Sequence, residues 1–181
     1  LSEARLAGGD FDATAVELWR VNWQDVSQRV LLKRGTVGEV TRGRGFFTAE
    51  VRGLSHVLNQ PHGRLFQYGC DAVLGDARCG VNLADADFSA EVAVTSCSAL
   101  RRLMVSGAQG FAAGFFAQGT WAFLSGPNAG RRGQIKFHRA GAGATGIELW
   151  QPLPCAAEQG DRLLLRAGCD KQFATCRAKF G

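Results

Sequence analysis

The feature that most constrains this chain is a succession of short runs in which apolar and polar residues alternate, each closed by glycine, proline or asparagine. Period-two alternation places successive side chains on opposite faces of an extended strand, and turn residues at intervals separate one strand from the next. Val16 and Leu18, then Trp19, Val21 and Trp23, alternate with a one-residue shift that predicts a β-bulge. Leu31-Leu32 leads through Gly35 to Val37 and Val40 and reads as strand, turn, strand. Phe47, Ala49 and Val51 alternate with Thr48, Glu50 and Arg52 up to Gly53. The second half repeats the theme over residues 91–95, 121–124, 134–138, 147–150 and 162–166, with a Gly/Pro/Asn turn at 125–130 that predicts a hairpin. Only residues 54–59, ahead of Pro61, and 99–104 read as helical. The glycines of 126–132 carry no G-x-x-x-x-G-K-[ST], and those of 141–146 lie between strands, so both read as hairpin turns rather than phosphate loops. The expectation is a mainly β protein of small barrel or sandwich domains with few short helices. Two domains are expected: a β-rich N-terminal one over 1–68, truncated at its start, and a cysteine-containing one over 69–181, truncated at its end.

Composition enters as a set of exclusions. Apolar residues make up 46% of the 181, which suits a globular chain, and no apolar run approaches the roughly 18 residues of a membrane helix. The net charge of +5 rests on arginine rather than lysine, and adjacent arginines occur only at Arg101-Arg102 and Arg131-Arg132. Scattered charge of this kind reads as a solvated surface, not as the clustered basic face of a nucleic-acid binder. Residues 1–10 are polar and mixed, with no secretory leader pattern; the lone methionine is Met104, and the chain reads as part of a longer one.

Four of the six cysteines form two similar units. Cys70 to Cys79 is a C-x8-C and Cys169 to Cys176 a C-x6-C; each opens with Gly-Cys-Asp, and each places an arginine, Arg78 or Arg177, beside its second cysteine. Both read as loops, with Gly75 permitting a sharp turn in the first. Thiolates are soft ligands for zinc or iron–sulfur clusters. Structural zinc usually takes C-x2-4-C, and spacings of eight and six are loose for one small ion but reach the corners of a larger cluster. Disulfides and unrelated buried thiols remain as the alternatives at this point. Cys97 and Cys155 lack the flanking pattern and receive no role. His56, His62 and His138 are dispersed and read as ordinary histidines, and Asp71, Asp76, Asp85 and Asp87 as turn and cap residues rather than a calcium loop. No G-x-S-x-G or H-E-x-x-H is present.

The cysteine units sit in longer stretches that carry a resemblance. The run Phe47-Thr48-Ala49-Glu50, Arg52-Gly53-Leu54, Leu58-Asn59-Gln60, then Cys70 through Cys79, resembles the phage tail hub family of alphaproteobacterial gene transfer agents and related prophages. The run Pro152-Leu153-Pro154, Gly160-Asp161, Gly168-Cys169-Asp170-Lys171, Phe173, Thr175-Cys176 and Lys179-Phe180 is similar to that family's C-terminal segment. The family in turn resembles the tail-tip proteins of lambdoid siphophages. The resemblance implies a structural, non-catalytic hub of a tail tip or baseplate, assembled in the bacterial cytoplasm and carried in the particle. It implies a homotrimer that joins the tail tube to the distal tail protein and to fibre- and receptor-binding proteins, with DNA only in passage through its channel. It further implies an iron–sulfur cluster of the 4Fe-4S type, with zinc as the alternative, held by Cys70, Cys79, Cys169 and Cys176. The rival functions are a cysteine-dependent cell-wall hydrolase and a redox or electron-transfer protein.

Overall fold

A computed structural model describes residues 5–6, 8–64, 66–141 and 143–181. Parts of the expected 1–68 domain and of the 141–146 turn, namely residues 1–4, 7, 65 and 142, lie outside the described residues. The chain divides into two compact units, Leu1–Gly63 and Arg64–Gly181, so the division falls at 63/64 where 68/69 was expected.

The first unit is a three-stranded antiparallel sheet in the order β1 (Ala15–Asn22), β2 (Asp25–Arg42), β3 (Phe47–Arg52), followed by the short helix α1 (Leu54–Leu58). The predicted bulge is present as a register shift between Leu18 and Trp19. The predicted turn at Gly35 is not: β2 runs unbroken for 18 residues. Gly35 serves close approach instead, since a Cβ there would fall 2.5 Å from the carbonyl oxygen of Arg52 on β3. None of the described residues of this unit is buried. Trp23, Val26, Val30 and Leu32 all stand in solvent.

The second unit is a closed six-stranded barrel in the order β4-β5-β8-β7-β6-β9, formed by β4 (Ser89–Ser98), β5 (Arg102–Ser106), β6 (Thr120–Phe123), β7 (Arg132–Arg139), β8 (Thr145–Leu149) and β9 (Arg162–Arg166). Register explains why it closes. Directly paired residues share a face, and the pairs Val92–Leu163, Ala90–Leu165, Leu103–Ile147, Ile135–Leu149, Trp121–Leu165 and Phe123–Leu163 are all apolar and buried. Closure leaves these six strands no free edge. Residues 99–104, expected to be helical, form the β4–β5 turn and the start of β5. Ala99 and Leu100 adopt left-handed backbone, with φ of 51° and 57°, which suits a tight hairpin and stops a helix. A second helix, α2 (Phe173–Phe180), follows the barrel where a loop was expected.

Candidate metal centre

The barrel strands all lie between the two cysteine units in sequence, one unit preceding β4 and the other following β9. The first unit is folded by Asp76. Its carboxylate accepts the N–H groups of Cys79 at 2.7 Å, Arg78 at 2.9 Å and Val73 at 2.9 Å, and these bonds, that to Cys79 first, hold its pKa below the usual carboxylate range. Gly75 and Gly80, with φ of 84° and 73°, supply the backbone reversals that such a loop requires. Asp71, beside Cys70, accepts from Arg64 at 2.8 and 3.1 Å and from Arg78 at 3.0 Å, and those guanidinium groups hold its carboxyl far below the usual range. The reading of the aspartates as turn residues holds for Asp76 and Asp85, whose side chains accept nearby backbone N–H groups; Asp71 is an ion-pair residue instead.

The second unit is set against the barrel. Gly168 is buried, and its amide donates to the Phe115 carbonyl. Asp170 accepts from the Gln172 amide at 3.0 Å and from the Thr175 hydroxyl at 2.8 Å, which organises the first turn of α2, and the Gln172 bond is the leading cause of its lowered pKa. Cys176 lies on α2, so the expectation that both units are loops is corrected for this cysteine. Lys179, one turn further, reaches back to donate to the carbonyls of Phe115 and Gly168 and sits over the Phe115 ring. Phe180 stacks at a tilt on Phe88 of the segment before β4, with centroids 5.2 Å apart.

These two units face one cavity of about 280 Å³. Cys70, Cys79, Cys169 and Cys176 all line it, together with Tyr68, Leu74, Lys171 and Phe173. All six cysteines are free thiols. The other two do not line this cavity: Cys97 is on β4, packed against the barrel core, and Cys155 is exposed. Among the described residues, no three cysteine, histidine, aspartate or glutamate side chains are grouped closely enough to hold a single metal ion. The donor chemistry nonetheless fits a soft-metal group, because four thiols free of disulfides border the same space and the Lys171 N–H points at the Cys169 sulfur, 3.4 Å away. Cys70, Cys79, Cys169 and Cys176 are therefore the residues able to hold such a group. Sequence reasoning missed Lys171 as part of this site and Lys179 as the residue that fastens α2 beside it; neither a left-handed lysine nor a lysine aimed at backbone carbonyls has a spacing signature.

The histidines hold no site in their units. His56 Nε2 lies 3.2 Å from the side-chain nitrogen Nε2 of Gln60, and His62 is exposed. His138 is buried in the barrel, where its Nδ1 accepts the Phe116 N–H at 3.5 Å and its Nε2 has no partner, so it is paired with no thiol.

Comparison with known proteins places the chain. Residues 1–82 match the family described as baseplate hub protein, N-terminal attachment domain, and residues 114–181 match the family of phage conserved hypothetical protein BR0599. Of the solved structures, a chain of the virion of a native gene transfer agent particle superposes with a TM-score of 0.84 at 42% identity, over 98% of the present chain. The present chain spans 61% of the length of that virion chain. No curated protein matches. The two family matches, over residues 1–82 and 114–181, and a virion chain of the same fold all point to the phage baseplate hub family.

Proposed function

We propose that the chain is a structural hub of a phage-like tail tip or baseplate, joining the tail tube to distal tail components and stabilised by an iron–sulfur cluster on Cys70, Cys79, Cys169 and Cys176. The observation that supports the hub is its likeness, over nearly the whole chain, to a component of a gene transfer agent virion. On this reading the protein resides in the particle and assembles as a homotrimer, with the distal tail protein and receptor-binding baseplate proteins as neighbours and DNA only passing through. The first unit supports a life in an assembly: a sheet with Trp23, Val26 and Leu32 in solvent has no core of its own and gains one by contact with other chains. Among the described residues no helix is long and apolar enough to cross a membrane.

What supports the cluster is the meeting of all four thiols on one cavity. A cluster is several atoms across and accepts ligands from wider positions than zinc does. Bound there, it supplies a cross-link rather than a reaction. It ties the segment before the barrel to the helix after it, closing a loop of about 90 residues that contains every barrel strand. No catalytic step is assigned. A cysteine hydrolase needs a thiol beside an imidazole, and the barrel histidine, His138, faces Phe116 instead.

Two measurements test the reading. Immunogold labelling of intact particles should mark the tip of the tail; label along the tube or on the head overturns the hub. The visible spectrum and elemental analysis of anaerobically purified chain should show broad absorption at the blue edge with iron and sulfide. Zinc without iron would select the alternative metal, and six paired cysteines would overturn a thiolate centre altogether.

A further inference from the structure

Lys171 has an unusual conformation and an unusual set of bonds. Its φ is 68°, in the left-handed region that a side-chain-bearing residue rarely adopts and that the surrounding structure must therefore enforce. Among the described residues, the hydrogen bonds that join the two cysteine units to each other all run through it. Its carbonyl accepts the Cys70 N–H at 2.9 Å. Its ammonium donates to the carbonyl of Ala72, two residues beyond Cys70. Its own N–H turns back to the Cys169 sulfur at 3.4 Å. The left-handed turn is what allows this division of labour, because it aims the N–H inward at its own unit while the carbonyl and side chain reach across to the other.

We infer that Lys171 is the positioning residue of the four-thiol cavity: it holds the 70–79 unit in register with the 169–176 unit in the metal-free chain, so that the four sulfurs border one space before any centre binds. The consequence for ligand binding rests on the four-thiol reading proposed above; the clamp itself rests on the hydrogen bonds alone. A glycine at 171 would take the same backbone turn without strain but would lack the ammonium, and methionine would keep the stem and lose the donor.

The test uses the full chain freed of metal by anaerobic chelation and reads amide hydrogen exchange residue by residue. Lys171→Met and Lys171→Gly should speed exchange at the Cys70 amide by about 5- to 30-fold, the effect of losing the one charged donor that holds Ala72 against residue 171. The amides of β4 and β9 should keep their wild-type rates. Lys171→Arg, which retains a donor at the end of the side chain, should stay near wild type. The inference is overturned by wild-type exchange at Cys70 in the Met and Gly variants, by an Arg variant as fast as Met, or by loss of protection throughout the barrel, since a clamp predicts a local opening. Because no metal is present, a failure of the cluster proposal would leave this measurement unchanged, and the two can fail separately.

Discussion

Gly168 lies so close to Ala117 that a Cβ added to it would sit 1.7 Å from the Ala117 carbonyl oxygen. The contact is backbone on backbone, with no flexible side chain to yield, and it fixes where the chain leaves the barrel immediately before Cys169. Gly168→Ala should therefore displace the second cysteine unit and lower stability by roughly 3 kcal/mol, at the upper end of overpacking effects. Gly110→Ala, where a Cβ meets open space and φ is ordinary, should stay within about 0.5 kcal/mol of wild type. Denaturant titration checks both, and equal stability of the two variants would show that the chain relaxes around Gly168 freely.

Lys179 fastens α2 to the barrel. It donates to the carbonyls of Phe115 and Gly168, and burial, its largest influence, lowers its pKa. Lys179→Met keeps the stem over the Phe115 ring but leaves two carbonyls without their charged donor, at an expected cost of about 1–3 kcal/mol. Amide exchange across residues 173–180 should accelerate with it. Unchanged exchange there would mean that α2 is held by Phe180 on Phe88 alone.

The proposed cross-link predicts a thermodynamic equivalence. Closing a loop of about 90 residues is worth on the order of 4 kcal/mol in chain entropy. Chelating metal from the wild type should lower stability toward that of Cys176→Ser, and chelation should then have little further effect on Cys176→Ser. Cys97→Ser, off the cavity, should keep both the chromophore and the response to chelator. Full additivity of chelation and Cys176→Ser would sever the thiol from the centre.

The barrel was largely legible in the sequence because its signal is local. A strand with one face buried shows period two, and residues 91–95, 121–124, 134–138, 147–150 and 162–166 all fall in or across barrel strands. Failures came where a residue type had two physical uses. Gly35 was read as a turn, but it serves close approach to Arg52 within one long strand. Residues 99–104 carry apolar spacing that suits a helical turn, yet Ala99 and Leu100 are bent into left-handed backbone, held by the Leu153 N–H on the Leu100 carbonyl at 2.7 Å. That bond comes from 53 residues away and leaves no local trace. The two cysteine units stand out in the sequence as paired motifs, whereas the bonds from Lys171 to Ala72 and from Lys179 to Phe115 span 99 and 64 residues and were invisible for the same reason.

Asp71 predicts an acid limb. Arg64 first, and Arg78 with it, hold its carboxyl below the usual range in the fold. A group whose folded pKa is depressed contributes stability that is complete above its unfolded pKa, near 4, and is lost as pH falls toward the folded value. Wild type should thus lose stability below about pH 4 more steeply than Asp71→Asn. The pair is solvent-exposed, so raising the salt concentration should shrink the difference. Identical acid limbs would show that the ion pairs do not persist in solution.

His138 predicts a second limb at a higher pH. It is buried beside Phe116, with ring centroids 5.0 Å apart, and desolvation, followed by the charge of Lys179, lowers its pKa. The fold therefore holds the neutral imidazole, and the unfolded chain takes up a proton more readily. With the folded value depressed, stability is complete above the unfolded pKa of about 6.5 and declines as pH falls through and below it, until the folded value is passed. His138→Gln keeps an acceptor for the Phe116 N–H and removes the titration. It should lower stability at pH 8 by about 1 kcal/mol, through imperfect packing, and flatten the slope below about pH 6.5. The Asp71 limb begins only near pH 4, so the double variant should lose both limbs independently. A wild-type slope retained in His138→Gln over that interval would assign the proton uptake to another group.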